Sequence, residues 1–483
     1  MTPQVTSKRQ IFRGGGVIIA SQVITMGLMF FAQRTILSVL TKEENGFLFG
    51  ERRIIDLFLI ILVDVGINII AMRRSILRPD EGHIVLSSAV ALRLALWIPS
   101  GVLAVGYGVI SGFRLVDLVL LCVLQLMSAK TTLLRFLLEI PYRNKLKFEI
   151  PALLSILETA FYLGLVLFPP RQLTVSTVIA YSIVAAVPSF ITLLLIDRGR
   201  YFHWKHIRIP EMKSLARESI PVAIMITLIA LHDKMDAIML NWWSTKKELG
   251  GFGAAYVSLA PLTTTIPIAV TQVVIPLVTR AFAVSMKQCA QYVLGALRVL
   301  VLVSVLASVV LTNFTPEVIE LVSKGQYLEY VRLFQLFLWM SVPIFILVYS
   351  QEVIIALNQS KLSFIIGAVL AATTIIFGWV LIPAYQSWGA GVAKMLSVSS
   401  GAVVSLVLID KALGRYADRK VYWAMVIPVA AAILWSTQMG MFFHRYVVGI
   451  SGVVVVAAVS VLSGLARKSE IRMVLGILKK GNR

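Results

Sequence analysis

An all-α polytopic membrane protein is the fold class that the sequence predicts, and composition is the first reason. Hydrophobic residues make up 58% of the 483 residues, and charged residues make up only 14%. Soluble domains carry about 25% charged residues on average. Because a soluble core cannot hide this much apolar surface, we expect the bilayer to act as the solvent for much of the chain.

Long apolar runs are the second reason, since a helix of about 20 apolar residues spans a bilayer. About fourteen transmembrane helices are predicted, at roughly 14–40, 54–72, 84–110, 115–140, 150–168, 174–196, 219–243, 254–280, 293–313, 332–356, 362–384, 389–410, 421–441 and 446–466. The eleventh and twelfth runs are separated only by AYQSWG. The connecting segments are short, so an extracytoplasmic catalytic domain is not expected.

A basic, aromatic segment at 197–218 is the longest interruption between these runs. Six predicted spans precede it and eight follow it. We therefore expect an N-terminal six-helix lobe at 1–196, a basic cytoplasmic linker at 197–218 and a C-terminal six-helix lobe at 219–410. Two additional helices and a basic cytoplasmic tail follow at 411–483. Transporters are commonly built from two such halves with the substrate site between them.

The positive charge predicts the orientation of the chain. There are 45 Lys and Arg residues against 24 Asp and Glu, for a net charge of +21. With both termini inside, about 28 basic residues lie in inner segments and about 10 in outer loops, as the positive-inside rule requires. We therefore expect a protein of the cytoplasmic (inner) membrane with both termini cytoplasmic. Topology accounts for the net charge, so no nucleic-acid partner is expected.

Motifs for enzyme chemistry are absent from the sequence. No HExxH, GxSxG, P-loop or CxxC occurs. The two cysteines, Cys122 and Cys289, have no spacing that suggests a disulfide or a zinc site. We therefore expect no enzymatic activity, no catalytic residue, no metal ion and no cofactor.

Four basic residues lie deep in predicted spans: Arg34, Arg93, Lys130 and Lys234. A charge at the centre of a membrane helix costs about 2.5–3.5 kcal/mol on insertion scales. None of the four has an acidic residue three or four positions away on its own helix. Their partners must therefore lie on other helices, in a water-filled cavity or on a substrate, and we predict that they line a substrate-binding cavity.

Four deep acids are candidate partners for these cations, Asp64, Glu158, Asp233 and Asp236, and His232 is considered with them because it shares a helix face with Asp233 and Asp236. Two interpretations are open. The residues either couple transport to an ion, a proton or sodium, or form interhelical ion pairs, such as Asp64 with Arg93.

The seventh span contains the densest group of charges, in LIALHDKMDAIMLNWW at 228–243. At 100° per residue, His232, Asp233 and Asp236 share one broad helix face, and Lys234 points away from most of it. The acidic face is predicted either to carry protons or a cation or to hold neighbouring helices together.

Four stretches resemble the polysaccharide-exporter branch of the multidrug/oligosaccharidyl-lipid/polysaccharide (MOP) flippase superfamily, which includes the O-antigen flippases. They are RTILSVLTKEENGFLFG at 34–50, LVDVGINIIAMRRSI at 62–76, DAIMLNWWSTKKELGGFGAAYVSLAPL at 236–262 and ALNQSKLSFIIGAVLAATTIIFGWVLIPAYQSWGAGVAKMLS at 356–397. Each motif alone has low specificity. Their order and spacing over most of the chain carry the resemblance.

The resemblance implies two six-helix lobes around a central cavity with alternating access. By its motifs, Arg34 matches the family's first-span Arg, Asp64 its second-span Asp and Asp236 its seventh-span Asp. The implied substrates are polyprenyl-pyrophosphate-linked oligosaccharides, precursors of a surface polysaccharide such as O-antigen or lipopolysaccharide. Arg and Lys suit such anionic substrates because they bind phosphate and carboxylate oxygens well.

We therefore expect a flippase that moves a lipid-linked anionic oligosaccharide across the cytoplasmic membrane, with glycan-synthesis proteins as candidate partners. A cation-coupled multidrug exporter (an antiporter) of the same superfamily is the first alternative, but the four deep cations count against it. A membrane glycosyltransferase or polymerase is the second, and it would need a large outer loop. A scaffold for a synthesis complex is the third, and it would leave the buried charges unexplained.

Overall fold

A computed structural model describes residues 8–129, 133–145, 147–359, 361–440 and 442–466 of the chain. The regular elements in these residues are all helical, which confirms the predicted all-α class. The α-helices of this part of the chain are α1 Lys8–Val39, α2 Lys42–Leu59, α3 Ile67–Leu77, α4 Gly82–Ile110, α5 Leu115–Met127, α6 Leu134–Asn144, α7 Glu149–Leu167, α8 Val175–Asp197, α9 Ile209–Trp243, α10 Lys246–Val284, α11 Met286–Asn313, α12 Thr315–Ser323, α13 Val331–Ala356, α14 Lys361–Leu413, α15 Lys420–Met439 and α16 Arg445–Leu462.

Eleven continuous helical segments among the described residues are long and apolar enough to cross a membrane. The chain is therefore a multi-pass membrane protein, but the predicted count of about fourteen spans is not confirmed. One reason is that the run predicted at 115–140 is divided into the short helices α5 and α6. Another is that the runs predicted at 362–384 and 389–410 are joined in the single segment Lys361–Tyr416.

α14 nevertheless turns back on itself within that segment. Gln386 has φ 50° and ψ −127°, which is incompatible with a continuous helix. A Cβ added to Gly389 would lie 2.1 Å from the Leu381 carbonyl oxygen, so only glycine fits this turn. Ser397 then donates a hydrogen bond to the Leu370 carbonyl at 2.9 Å across the hairpin. The AYQSWG segment is thus a tight turn between two antiparallel helical arms.

The second predicted span, 54–72, is interrupted in its middle. α2 runs into a π-helical turn at Ile60–Asp64, and Val65 and Gly66 follow with left-handed φ values of 33° and 75° before α3 begins. A β-branched residue with positive φ is strained. A Cβ on Gly66 would lie 2.4 Å from Cγ1 of Val222 in α9, so the break is packed tightly against a neighbouring helix.

The chain divides into two compact units, Met1–Gly253 and Ala254–Arg483. We expected a second lobe to begin at residue 219, but α9 lies in the first unit, where it packs against α2, α3 and α4. The linker predicted at 197–218 already contains the start of α9 at Ile209. The segment before α9 is held on α4, because Ser87 donates to the Tyr201 carbonyl at 2.8 Å and Ser88 accepts from the Arg208 amide at 3.0 Å.

Candidate functional site

The break in the second span places a carboxylate beside a fully buried arginine. Nη2 of Arg93 in α4 lies 2.5 Å from Oδ1 of Asp64. Nη1 of Arg93 donates to Oδ1 of Asn68 at 2.8 Å and also to the Leu133 carbonyl. Arg93 is 0% exposed. The interhelical pair that the sequence left as one of two interpretations is therefore formed, and Arg93 is already neutralised by protein groups.

A second charge cluster joins α2, α5 and α9. Nη1 of Arg53 lies 3.2 Å from Oδ2 of Asp233. Nζ of Lys234 lies 2.9 Å from the same oxygen and 3.4 Å from Oδ2 of Asp56. Gln125 of α5 donates to the other oxygen of Asp56. Two cations and two carboxylates balance here, so this cluster ties three helices together without a net charge.

The predicted division of α9 into an acidic face and an opposed lysine is wrong for Asp233. Lys234 does not turn away, because its long flexible stem brings the ammonium group back to the Asp233 carboxylate. His232 and Asp236 are both buried on the same helix. Oδ1 of Asp236 accepts from the Ala237 amide at 2.7 Å. A role for His232, Asp233 and Asp236 in ion coupling remains a prediction.

Glu158 of α7 is the centre of a third cluster, beside the interruption between helices α5 and α6. Its carboxylate accepts from Oγ of Ser128 at 3.1 Å, from the Ala129 amide at 3.1 Å and from Oγ of Ser189 at 2.8 Å. Nη1 of Arg135 lies 3.4 Å away. Hydrogen bonds to a charged acceptor are the strong kind, so Glu158 secures the end of α5 as well as pairing with a cation.

The spacing of Arg135, Glu139 and Arg143 by four residues predicts a ladder of ion pairs on one helix face, and the structure confirms it on α6. Nε of Arg135 lies 3.1 Å from one oxygen of Glu139, and Nη2 of Arg143 lies 2.7 Å from the other. Residues four apart on a helix are neighbours, which explains both pairs.

The remaining two predicted substrate ligands have different outcomes. Arg34 is half-buried on α1, and its Nε is enclosed without a hydrogen-bond partner in the described part of the chain. Lys130 lies outside the described residues. Small residues on the face of Arg34, such as Gly16 and Gly27, predict the close approach of a neighbouring helix, but a Cβ added at either would meet no described atom within 4 Å.

Sequence reasoning missed a clasp between α3 and α9. Nη1 of Arg74 lies 2.5 Å from Oε1 of Glu211, and its Nη2 donates to Oγ of Ser214 at 2.6 Å. The same guanidinium forms a forked pair with Glu218. Glu211, Ser214 and Glu218 are spaced three and four residues apart, so they lie on one polar face of α9. This spacing is the sequence signal for a basic partner on that face.

A short internal repeat was also missed. Thr-Lys-x-Glu-x-Gly occurs at 41–46 and again at 245–250, at the starts of α2 and α10. The Thr of each copy accepts a hydrogen bond from the amide of the Glu three residues later: Thr41 from Glu44 at 3.2 Å and Thr245 from Glu248 at 3.3 Å. Both copies therefore begin a helix with the same N-cap.

The two copies of the repeat cross each other at their glycines. A Cβ on Gly46 would lie 1.8 Å from the Lys246 carbonyl oxygen, and a Cβ on Gly250 would lie 1.9 Å from the Lys42 carbonyl oxygen. Asn45 adds a hydrogen bond to the Gly250 carbonyl at 3.0 Å. The approach is backbone to backbone, so both positions require glycine.

Beside this crossing lie two carboxylates that sequence reasoning also missed, Glu51 of α2 and Asp117 of α5, both 0% exposed. Oε1 of Glu51 accepts from the Arg114 amide at 3.4 Å. Nζ of Lys246 binds Oδ1 of Asn241 at 2.5 Å. Burial lowers the pKa of Lys246 to about 8, while nearby Glu51 opposes that shift. This part of the first unit thus places two fully buried carboxylates near a partly buried lysine.

The second unit contains a cavity of about 850 Å³ between α11, α13, α14 and α15. Its walls are almost entirely apolar, with Val301, Val342, Leu406, Val426 and Ile433 among the lining residues. Polar groups gather where the end of α14 meets the start of α15, namely Asp410, Arg419 and Tyr422. Nη2 of Arg419 lies 3.2 Å from Oδ2 of Asp410. The cavity thus joins a long apolar lining to an ion pair.

Comparison with known proteins gives matches at the level of structure. No family model and no curated protein matches the sequence. The lipid II flippase MurJ, in an inward closed conformation, matches with TM-score 0.68 and 11% identity over 92% of this chain and 98% of that one. An inward-facing MATE family multidrug resistance transporter of the MOP superfamily matches with TM-score 0.63 and 12% identity over 83% and 98%.

A MOP superfamily transporter from Pyrococcus furiosus matches with TM-score 0.58 and 11% identity, over 84% of this chain and 96% of that one. The chain therefore has the fold of the MOP superfamily transporters. Identities this low show the fold alone, so membership of the polysaccharide-exporter branch remains a prediction.

Proposed function

We propose that this protein is a flippase that moves a polyprenyl-pyrophosphate-linked oligosaccharide, a precursor of a surface polysaccharide, across the cytoplasmic membrane by alternating access. The apolar cavity of the second unit is the observation that carries the proposal. A polyprenyl chain is long, flexible and entirely apolar. A transporter that turns its headgroup over must also hold that chain, whereas an exporter of small drugs has no such need.

The cavity suits a polyprenyl chain in size, lining and polarity. Its volume of about 850 Å³ falls within the range of about 300–1,000 Å³ for sites that bind organic ligands. Several lining residues are also exposed, including Val403, Val407 and Trp423, so the cavity is reachable from outside the protein. Arg419 lies at its polar end, where it can approach the phosphate that follows the lipid chain.

Arg34 is our proposed contact for the anionic headgroup. Its enclosed Nε lacks a partner among the described residues, so a pyrophosphate or acidic sugar would satisfy it. Arg93 and Lys234 would contribute only by exchanging their present carboxylate partners for substrate. Such an exchange is one way in which substrate binding could change the packing of α4 and α9.

A multidrug exporter is the second candidate, and a specific observation favours it. Arg93 and Lys234 are paired with acids, so the deep charges of the first unit are less cationic than the sequence suggested. A MATE family multidrug resistance transporter is also among the proteins of similar fold. Under this alternative, loss of the protein would sensitise cells to cationic drugs and would leave lipid-linked glycans unchanged.

The proposal is tested by flipping in reconstituted vesicles and by lipid analysis of cells that lack the protein. We expect those cells to accumulate polyprenyl-linked oligosaccharide on the inner leaflet. Val403→Trp should fill the cavity and slow flipping by about tenfold, which corresponds to about 1.4 kcal/mol of added activation free energy. Val454→Trp on α16 is the matched control, since Val454 is equally exposed but does not line the cavity. Equal effects of the two substitutions would contradict the proposal.

A further inference from the structure

Three carboxylate oxygens at the end of the first unit lack the partners that buried charges require. Oε2 of Glu51 and both side-chain oxygens of Asp117 are enclosed and accept no hydrogen bond from any described residue. The two side chains are fully buried, and the Arg114 amide that donates to Glu51 belongs to the N-cap of α5, whose first turn carries Asp117. Two ionised carboxylates in a dry site repel each other, and each also loses its hydration.

The neighbouring cations do not neutralise this pair. Lys246, Arg114 and Asp117 are the charged groups that act on Glu51. Nζ of Lys246 is instead directed to Oδ1 of Asn241 at 2.5 Å and lies over the Phe113 ring, 3.3 Å from its centroid. Arg114 donates to Glu51 through its backbone amide, and its guanidinium lies over the Phe47 ring, 5.9 Å from the centroid, instead of pairing with Glu51. Among the described residues, no ion pair within 4 Å involves either carboxylate.

We propose that Glu51 and Asp117 form a proton-binding site that holds one proton between them. A proton on Oε2 of Glu51 turns that oxygen into a donor, and an oxygen of Asp117 becomes its acceptor. One proton thereby satisfies at least two of the three bare oxygens and removes the repulsion. The first turn of α5 stabilises the remaining negative charge of the pair, because helix N-termini carry partial positive charge.

Close packing where the starts of α2, α5 and α10 meet encloses the two carboxylates. Phe113 is buried against α2, where a Cβ on Gly50 would lie 2.6 Å from its ring. The crossing of Gly46 and Gly250 brings the starts of α2 and α10 together one turn from Glu51. If α2, α10 and the 111–114 segment separate, water reaches both carboxylates. The proton is then released to water, and a proton is taken up from water before α2, α10 and the 111–114 segment pack together again.

This inference deepens the proposed function, because it names a proton as the coupling ion, and that use of the site rests on the proposed function. Asp233 of α9 was one of the candidates for coupling in the sequence. Asp233 is held by Arg53 and Lys234, so it lacks the unsatisfied oxygens that mark a proton site. Glu51 and Asp117 have them.

Infrared spectroscopy of the full-length protein in membranes tests the site without any transport. We expect a protonated carboxyl band at neutral pH that is lost in Glu51→Gln. The band should shift in Asp117→Asn, because the acceptor of its hydrogen bond has changed. Glu43→Gln, an exposed position on the same helix, is the matched control and should leave the band unchanged. A spectrum of Glu51→Gln that equals the control overturns the proposal.

Transport supplies an independent second measurement. In vesicles loaded with polyprenyl-linked oligosaccharide, a pH gradient should accelerate flipping by the wild type and by Glu43→Gln, and Glu51→Gln should lose that acceleration. Retained acceleration in Glu51→Gln overturns the coupling role. If the infrared band behaves as expected and no protein variant flips the lipid, the proton site stands and the proposed function falls.

Discussion

At the residue scale, the deep arginines and lysines of this protein are arranged mainly as partners of carboxylates. Arg93 meets Asp64, Lys234 meets Asp233, and Arg135 meets Glu158. Burying an unpaired charge in a medium of low polarity is costly, so a buried arginine or lysine needs a carboxylate partner. The pairs of Arg93 and Arg135 each join two helical segments of the first unit.

Removal of Asp64 tests how much one such pair contributes. Asp64→Asn leaves the fully buried Arg93 without a carboxylate, and we expect a loss of about 3–5 kcal/mol in the free energy of unfolding. Glu81→Gln is the control, because Arg78 and Glu81 form an exposed pair at 3.5 Å that should contribute at most about 1 kcal/mol. Denaturation of both variants in mixed micelles measures the difference. Equal losses would show that burial does not decide the cost.

The contact of His206 with His83 and His203 gives a second prediction at this scale. Their ring centroids lie 4.6 Å and 5.6 Å from that of His206. Burial and then the two neighbouring histidines lower the pKa of His206 below its ordinary value of 6.5, while Asp197 opposes the shift. The segment 198–208, which precedes α9 and docks on α4, therefore binds α4 less well when His206 is protonated.

Docking of this segment on α4 should consequently be independent of pH above 6.5 and should weaken as the pH falls below 6.5, where undocked His206 takes up a proton. Hydrogen exchange of residues 198–208, corrected for intrinsic rates, measures the effect. The His206→Gln variant should show the same protection at all pH values. Constant protection of the wild type from about pH 7.5 to about pH 5.5 would contradict the prediction.

At the element scale, two helices of the first unit are broken where a membrane helix would normally continue. The break at Val65 and Gly66 and the break between α5 and α6 both lie beside buried ion pairs. Interrupted backbone is tolerated at membrane depth only where protein or enclosed water satisfies it. At the first break the Gly66 carbonyl accepts from the Ile69 and Ile70 amides at 3.1 and 3.3 Å, and at the second Arg93 donates to the Leu133 carbonyl.

Substitution of Gly66 tests this break. Gly66→Ala forces an L side chain into a φ of 75° and places its Cβ 2.4 Å from Cγ1 of Val222. Gly112→Ala is the control with a φ of 81° and no atom within 4 Å, and it should cost about 1–2 kcal/mol from backbone strain alone. Gly66→Ala should cost clearly more, measured by thermal unfolding in detergent. A combined Val222→Ala substitution should recover part of the difference.

At the scale of the whole molecule, the chain forms two compact units that divide within α10, not at the basic segment. The interactions that assign α9 to the first unit are the Arg74 clasp and the Arg53 and Lys234 pairs. A count of spans on either side of 197–218 could not reveal this division, because it ignores which helices bind each other.

The predicted orientation is testable on the intact molecule. Both native cysteines, Cys122 and Cys289, are buried, so they give little background labelling. With cytoplasmic termini, a membrane-impermeant maleimide should label Gln172→Cys in intact cells and should label Arg200→Cys only after the membrane is opened. Both positions are exposed. Labelling of Arg200→Cys in intact cells would reverse the predicted topology.

The sequence by itself determined the all-helical membrane class, the positions of most apolar helices and the ladder on α6. These features depend on each residue's own transfer free energy and on neighbours three or four positions away, so they can be predicted from short stretches of sequence. The tertiary structure alone decided that Arg93 meets Asp64, that α9 belongs with α2 and α3, and that Glu51 and Asp117 are both fully buried. Those outcomes depend on which distant segments pack together, and a buried charge selects its partner only after that packing is formed.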